Sequence, residues 1–161
     1  MKVLFVCMGN ICRSPSAEGI LRKMVAEHGL ESEIEVGSAA TSDYHVGEPP
    51  DGRAQLVAKK RNIDISGHRA RMITPEDFKK YDLILAMDWD NITYMQQICP
   101  RSLHHKIMLL MRFANDHEEA TVSDPFYGPL EGFVKMMDYL EDACAGVFEN
   151  VSKRSAQFQV D

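Results

Sequence analysis

The chain has 161 residues, 45% of them hydrophobic and 26% charged, values of an ordinary globular protein that exclude a disordered or fibrous one. Eighteen basic residues against twenty-four acidic ones leave a net charge of -6, which argues against a broad nucleic-acid surface and confines any anion site to a local pocket. A chain of this length is expected to form one domain that buries about two-thirds of its unfolded surface around a single core, without disulfide staples.

The opening "MKVLFVCMGN" has one lysine and a short apolar run, and it reaches Asn10, Arg13 and Pro15 too soon for an export signal. No stretch approaches a membrane span, and the cysteines at 7, 12, 99 and 144 have no disulfide-scaffold spacing, so the expected setting is a reducing cytoplasm, with no membrane partner. Residues 2–6 read as a buried strand ended by a Gly-Asn turn. A helix follows, with Ser14 as its cap, Pro15 at its first position, Leu21, Met24 and Val25 at helical spacing, and Gly29 as its stop.

"EIEVGSAAT" from Glu33 predicts a second strand ending near Ser38, and "RAQLVAKKR" from Arg53 a second helix after a Pro-Pro-Asp-Gly linker. The basic residues Lys59, Lys60, Arg61, Arg69 and Arg71 fit a solvated face. "YDLILAMD" is a buried strand ending at Asp88, "WDNITYMQQIC" a helix, and "KIMLLM" another strand. A long polar loop from Arg112 to Gly128 precedes a last helix over 130–151, whose Phe133, Met136, Met137, Leu140, Cys144, Val147, Phe148 and Val151 form one broad apolar stripe. The alternation predicts an α/β fold, a parallel sheet covered by helices on both faces, with a ligand outside the carboxyl ends of the strands. The expected sheet has four strands in the order 2-1-3-4, the middle layer of three.

"CMGNICRS", between the first strand and the first helix, is where such a ligand would sit. Gly9 permits close backbone approach, Asn10 tolerates a left-handed conformation, and the helix beyond adds the positive end of its dipole, so the amides of Met8, Gly9, Asn10, Ile11 and Cys12 could cradle an oxyanion such as phosphate. Cys7 at the base of that cradle faces the amides, the helix terminus and Arg13, a setting that favours thiolate over thiol. Arg13 supplies a planar fork for two oxygens, and Ser14 could donate its hydroxyl to the sulfur. Taken singly, Cys7 and Arg13 equally fit a buried strand-end cysteine and a surface arginine. The full run of residues after a strand and before a helix is more restrictive, and neither a Walker loop nor a Rossmann glycine triplet is present.

"VCMGNICRSPSAEG" resembles the signature of the low-molecular-weight protein tyrosine phosphatases. "GSAATSDYHVGEPPDGRA", "DISGHRAR" and "SDPFYG" are similar to that family's second strand with its variable loop, its central segment and its general-acid loop, in the family's order and over nearly the whole chain. The resemblance implies phosphotyrosine-containing proteins as substrates and no metal or organic cofactor. It implies Cys7 as the nucleophile of a phosphocysteine intermediate, Arg13 as the ligand of the phosphoryl oxygens and Ser14 as an aid to the leaving thiolate. Asn10, Ser14, Ser38 and His68 match the network that holds the family's loop in shape.

Expulsion of a phenolate needs an acid, and Asp124, in the long loop and held extended by Pro125, is the candidate, although Asp-Pro alone is also a plain turn. The same carboxyl, deprotonated, could activate the water that hydrolyses the intermediate, which predicts a bell-shaped, mildly acidic activity profile. Tyr44, Phe126 and Tyr127 are expected as aromatic walls around a phenyl ring. Spacing and resemblance together suggest a reversible Cys7–Cys12 disulfide, and a monomer is expected. Two related activities stay open. A thiol-dependent arsenate reductase would need a central cysteine pair where this chain has only Cys99, and a protein arginine phosphatase tends to carry threonine where this chain has Ile11.

Overall fold

The structure, a computed structural model, describes the backbone of residues 1–159 and the side chains as far as Ser155. Four parallel strands, β1 (Lys2–Cys7), β2 (Glu35–Ala40), β3 (Leu83–Ala86) and β4 (Ile107–Leu109), form one sheet in the expected order β2-β1-β3-β4. The helices are α1 (Arg13–Glu27), α2 (Gly52–Lys60), α3 (Pro75–Lys80), α4 (Trp89–Ile98) and α5 (Leu130–Gln159).

Side chains of alternate β1 residues enter two separate cores because strand periodicity sends them to opposite faces. Val3, Phe5 and Cys7 join the core made with α1, α2 and α5, whereas Leu4 and Val6 join the one made with α3 and α4. The methionines Met136 and Met137 of α5 are fully or almost fully buried in the first core, as the stripe predicted. A Cβ on Gly146 would fall 1.9 Å from the Phe113 carbonyl oxygen, so glycine is what lets α5 seat against the chain after β4.

Several boundaries differ from the sequence reading. Helix α1 begins at Arg13 with Cys12 in the cap position and no side-chain cap, and Pro15 is the third helical residue. Ser14 is not the cap because its hydroxyl turns inward to the loop, and proline is tolerated there because first-turn N–H groups have no intrahelical acceptor. Strand β2 runs past Ser38 to Ala40, where it stays in register with Cys7 and bridges Met72. β3 is shorter than "YDLILAMD" because Asp88 leaves the sheet to cap α4, its carboxylate accepting the Asn91 N–H at 2.9 Å. β4 stops at Leu109, where a 3-10 turn over Leu110–Phe113 takes the last apolar residues into the core and delays the start of the loop.

Helix α2 starts one residue early, at Gly52, capped by Asp51, whose carboxylate accepts the Arg53 N–H at 2.8 Å. Helix α3 was missed, although Thr74, Pro75 and Asp77 form a capping box with proline in the first turn. Helix α5 continues past Val151 to Gln159. Lys59 and Lys60 are exposed as expected, but Arg61 is partly covered and paired with Asp138 at 2.9 Å and Glu141 at 3.3 Å on α5.

Candidate active site

β1 delivers Cys7 to the carboxyl edge of the sheet, and α1 begins at Arg13, so residues 8–12 must curl tightly between them. Asn10 makes that curl with φ 57°, in the left-handed region that asparagine tolerates better than most side chains. It is fully buried, and its side chain is fully engaged. Nδ2 donates to Ser14 Oγ at 2.7 Å and Ser38 Oγ at 3.0 Å, while Oδ1 accepts the Arg71 backbone N–H at 3.1 Å and lies 3.0 Å from His68 Nε2. An amide oxygen only accepts, so His68 carries a proton on Nε2 and donates it. The structure thus brings together the four residues of the expected network.

Ser14 already receives the Asn10 amide, which leaves its own proton for Cys7 Sγ, 3.0 Å away, and the Asn10 backbone N–H donates to the same sulfur at 3.3 Å. Cys7 lies at the foot of a cleft of about 720 Å³ with only 2% of its surface exposed. Met8, Gly9, Ile11, Cys12, Arg13, Tyr44, Asp124, Phe126 and Tyr127 line the same cleft, whereas Asn10 and Ser14 brace the loop from behind. A Cβ at Gly9 would come within 3.0 Å of the His45 ring, so glycine allows that ring to close over the loop.

Arg13 is buried, and its Nη1 is committed to the protein, donating to Asp88 Oδ2 at 2.7 Å and to the Val122 carbonyl at 2.9 Å. The Nε and Nη2 edge makes no hydrogen bond among the described residues, and Nη2 stands 3.7 Å from Asp124 Oδ2. Burial would push the guanidinium down, but the charge of Cys7 and the Asp88 hydrogen bond outweigh it and hold the group above its ordinary value. The arrangement is a fixed cation with one edge free beside a buried sulfur. Cys12, also buried, is a free thiol like Cys7, and burial followed by the charges of Asp51, Cys7 and Asp124 pushes it well up.

The far wall comes from the loop after β4. Val122 N–H donates to the Met87 carbonyl at 2.9 Å, tying the loop to the end of β3, and Asp124 follows with 41% of its side chain exposed. Asp124 Oδ1 accepts the Phe126 N–H at 3.1 Å, leaving Oδ2 toward Arg13. Tyr44, His45, Phe126 and Tyr127 form a chain of ring contacts at 4.7, 5.9 and 4.8 Å across the cleft. Arg53 holds the loop from outside, donating to the Phe126 carbonyl at 2.8 Å and the Gly128 carbonyl at 3.2 Å while its guanidinium lies over the Phe133 ring at 4.5 Å.

Sequence reading missed Asp88, His45, Glu48 and Arg53. Asp88 had a signal, since Asp and Asn three residues apart after a buried strand mark a helix cap at the ligand-binding edge of the sheet, but nothing local points it at Arg13. His45 and its carboxylate partner Glu48 lie in a turn whose closure over the loop is a tertiary event.

The sequence model described as low molecular weight phosphotyrosine protein phosphatase matches residues 2–157. The chain is 39% identical over 149 residues to a human low molecular weight phosphotyrosine protein phosphatase, covering 91% of this chain and 93% of that one. It is 42% identical over 125 residues to a Drosophila melanogaster counterpart, covering 78% of this chain and 76% of that one. A crystal structure of a protein tyrosine phosphatase from Entamoeba histolytica, with Hepes in its active site, superposes with a TM-score of 0.91 at 38% identity, covering 95% of this chain and 97% of that one. By sequence, by fold and by the match along nearly its whole length, the chain belongs to the low molecular weight phosphotyrosine protein phosphatase family.

Proposed function

We propose that this protein hydrolyses phosphotyrosine and simple aryl phosphates through a phosphocysteine intermediate, with Cys7, Arg13 and Asp124 as its catalytic residues. The observation that carries the reading is Cys7 Sγ at the foot of an aromatic-walled cleft, faced by the Asn10 N–H and the Ser14 hydroxyl, with Arg13 and Asp124 3.7 Å apart at its wall. The phosphoryl oxygens bind the loop amides and the free edge of Arg13, and the Cys7 thiolate attacks phosphorus in line with the phenolic oxygen. As the S–P bond forms and the P–O bond breaks, Asp124 gives its proton to the phenolic oxygen and tyrosine leaves.

Water then attacks the phosphocysteine, Asp124 takes its proton, and the S–P bond breaks to release inorganic phosphate and the thiolate. The Ser14 hydroxyl and the Asn10 N–H stabilise the negative charge that returns to sulfur. Tyr44, Phe126 and Tyr127 hold the phenyl ring, and Met8 and Ile11 complete the walls. Cys99 packs into the core on the α4 side of the sheet and Cys144 is buried against the Ala17 carbonyl, so neither lines the cleft above Cys7 as the thiol relay of an arsenate reductase would require. Among the described residues no helix is long and apolar enough to cross a membrane, and the reading includes action as a cytoplasmic monomer.

The test is hydrolysis of p-nitrophenyl phosphate by wild type and Cys7→Ser, with a chelator present. Loss of activity by about 10⁴-fold or more in the variant is the expected result. Activity that survives the substitution would overturn the reading.

A further inference from the structure

The edge of the molecule around the cleft carries an exposed indole that takes no part in lining it. Trp89 opens α4 directly after Asp88, the residue that holds Arg13, and 61% of its surface is exposed. Among the described residues no ring or cation packs on it. Its neighbour across the edge is fixed by the sheet. β1 and β3 pair through Val6 and Ala86, and Met87 N–H donates to the Val6 carbonyl at 3.2 Å, so the turns bearing Met8 and Trp89 leave the sheet side by side. Met8 lines the cleft and is 56% exposed, on the turn next to the one that bears the indole. Large apolar side chains left exposed together beside a binding cleft mark a contact surface.

The charge on this edge is one-sided. Asp90 follows Trp89, and Asp43 precedes the Tyr44 wall; both are exposed, and neither has a cationic partner among the described residues. A phosphotyrosine seated between Tyr44 and Phe126 leaves its own backbone at the mouth, and an extended chain advances about 3.3 Å per residue, so the adjoining residues of a substrate cross this edge. The phosphate is drawn to the loop while an acidic flank is repelled at the rim.

We propose that Trp89 and Met8 form a docking surface for residues flanking the phosphotyrosine, and that Asp43 and Asp90 select flanks that combine an apolar residue with lysine or arginine. The proposal rests on the phosphatase reading and names the substrate class for that cleft. In it Trp89 is a specificity residue that touches the substrate beyond the reacting group.

The experiment compares two phosphotyrosine peptides, one flanked by leucine and lysine and one by alanine and glutamate, with p-nitrophenyl phosphate as the flank-free control, in wild type, Trp89→Ala and Asp43→Asn/Asp90→Asn. Wild type is expected to prefer the leucine-lysine peptide by about tenfold in kcat/KM. Trp89→Ala should lower kcat/KM for that peptide about five- to tenfold, through KM, and leave p-nitrophenyl phosphate within about twofold. The double variant should erase most of the preference, and added salt should weaken it in wild type.

Equal losses on peptide and control would make Trp89 a structural residue and overturn the proposal. No change on either peptide, or a preference for the acidic one, would also overturn it. An effect of Trp89→Ala that depends on enzyme concentration would assign the indole to contacts between copies of the chain and equally end it. Absence of wild-type activity on the control would instead strike the phosphatase reading itself.

Discussion

The two sides of the cleft are built on opposite principles. The loop after β1 is over-determined, with Asn10, Arg13 and Ser14 each at 2% exposure or less and bound to side chains or backbone from four other segments. The loop after β4 stands largely in solvent, with Tyr127 at 95% exposure, and is pinned at a few points by Arg53, Met87 and Asp142. In the proposed mechanism the first side holds the charge that develops on phosphoryl oxygens without reorganising, and the second carries Asp124 and two rings on a segment tied at few points.

The sharpest way to break this contrast is at Asn10. Asn10→Ala leaves Ser14, Ser38 and His68 without their shared partner and forces alanine into a left-handed turn, so a loss of about 2–4 kcal/mol in urea unfolding and near-complete loss of aryl phosphatase activity are expected. Asn10→Gly relieves only the backbone strain and should recover roughly 1 kcal/mol of stability while activity stays lost. Recovery of activity in the glycine variant would mean that the hydrogen bonds are dispensable.

Asp88→Asn keeps the α4 cap but removes the charge that positions Arg13, and kcat should fall about ten- to thirtyfold, with the unfolding midpoint shifted less than in Asn10→Ala. On the other wall, Arg53→Gln frees the Phe126 and Gly128 carbonyls. The loop keeps its ties to Met87 and Asp142, so KM should rise only about three- to fivefold, with kcat nearly kept, by steady-state kinetics on p-nitrophenyl phosphate.

The smallest effect on activity is expected at Asp142, which anchors the start of the outer loop. Burial would push its carboxyl up, but the backbone N–H groups of Asn115, Asp116 and His117 and the His117 ring outweigh it and hold the group below its ordinary 3.8. A carboxylate lowered on folding contributes stability that is full above its unfolded value and is lost as pH falls through the folded one. Asp142→Asn should therefore cost about 1–2 kcal/mol at pH 7 and progressively less below pH 3.8 in urea titrations, with activity little changed. A gap that widens in acid would reverse the sign of this account.

How much of this was readable in advance divides along the same line. The loop constellation was legible because it is contiguous: Cys7, Asn10, Arg13 and Ser14 fall within eight positions between a strand and a helix. Continuous apolar runs likewise marked the buried strands, and the 3.6-residue periodicity marked the long helices. Helix α3 escaped because only Phe78 in its six residues is a fully buried apolar side chain, leaving too little periodicity to read. Asp124 was legible as an acid beside a proline, but not its distance from Arg13.

By itself, then, the sequence determined an α/β chain whose first strand and first helix are joined by a tight loop running from Cys7 to Arg13. Only the tertiary structure decided which partners complete that loop. Arg13 meets Asp88 and Val122, 75 and 109 positions away, and Asn10 meets His68 and Arg71, 58 and 61 positions away. The physical reason is the parallel sheet. Each strand ends at the same edge, so distant segments are delivered to one place by strand order, an arrangement that no local pattern encodes.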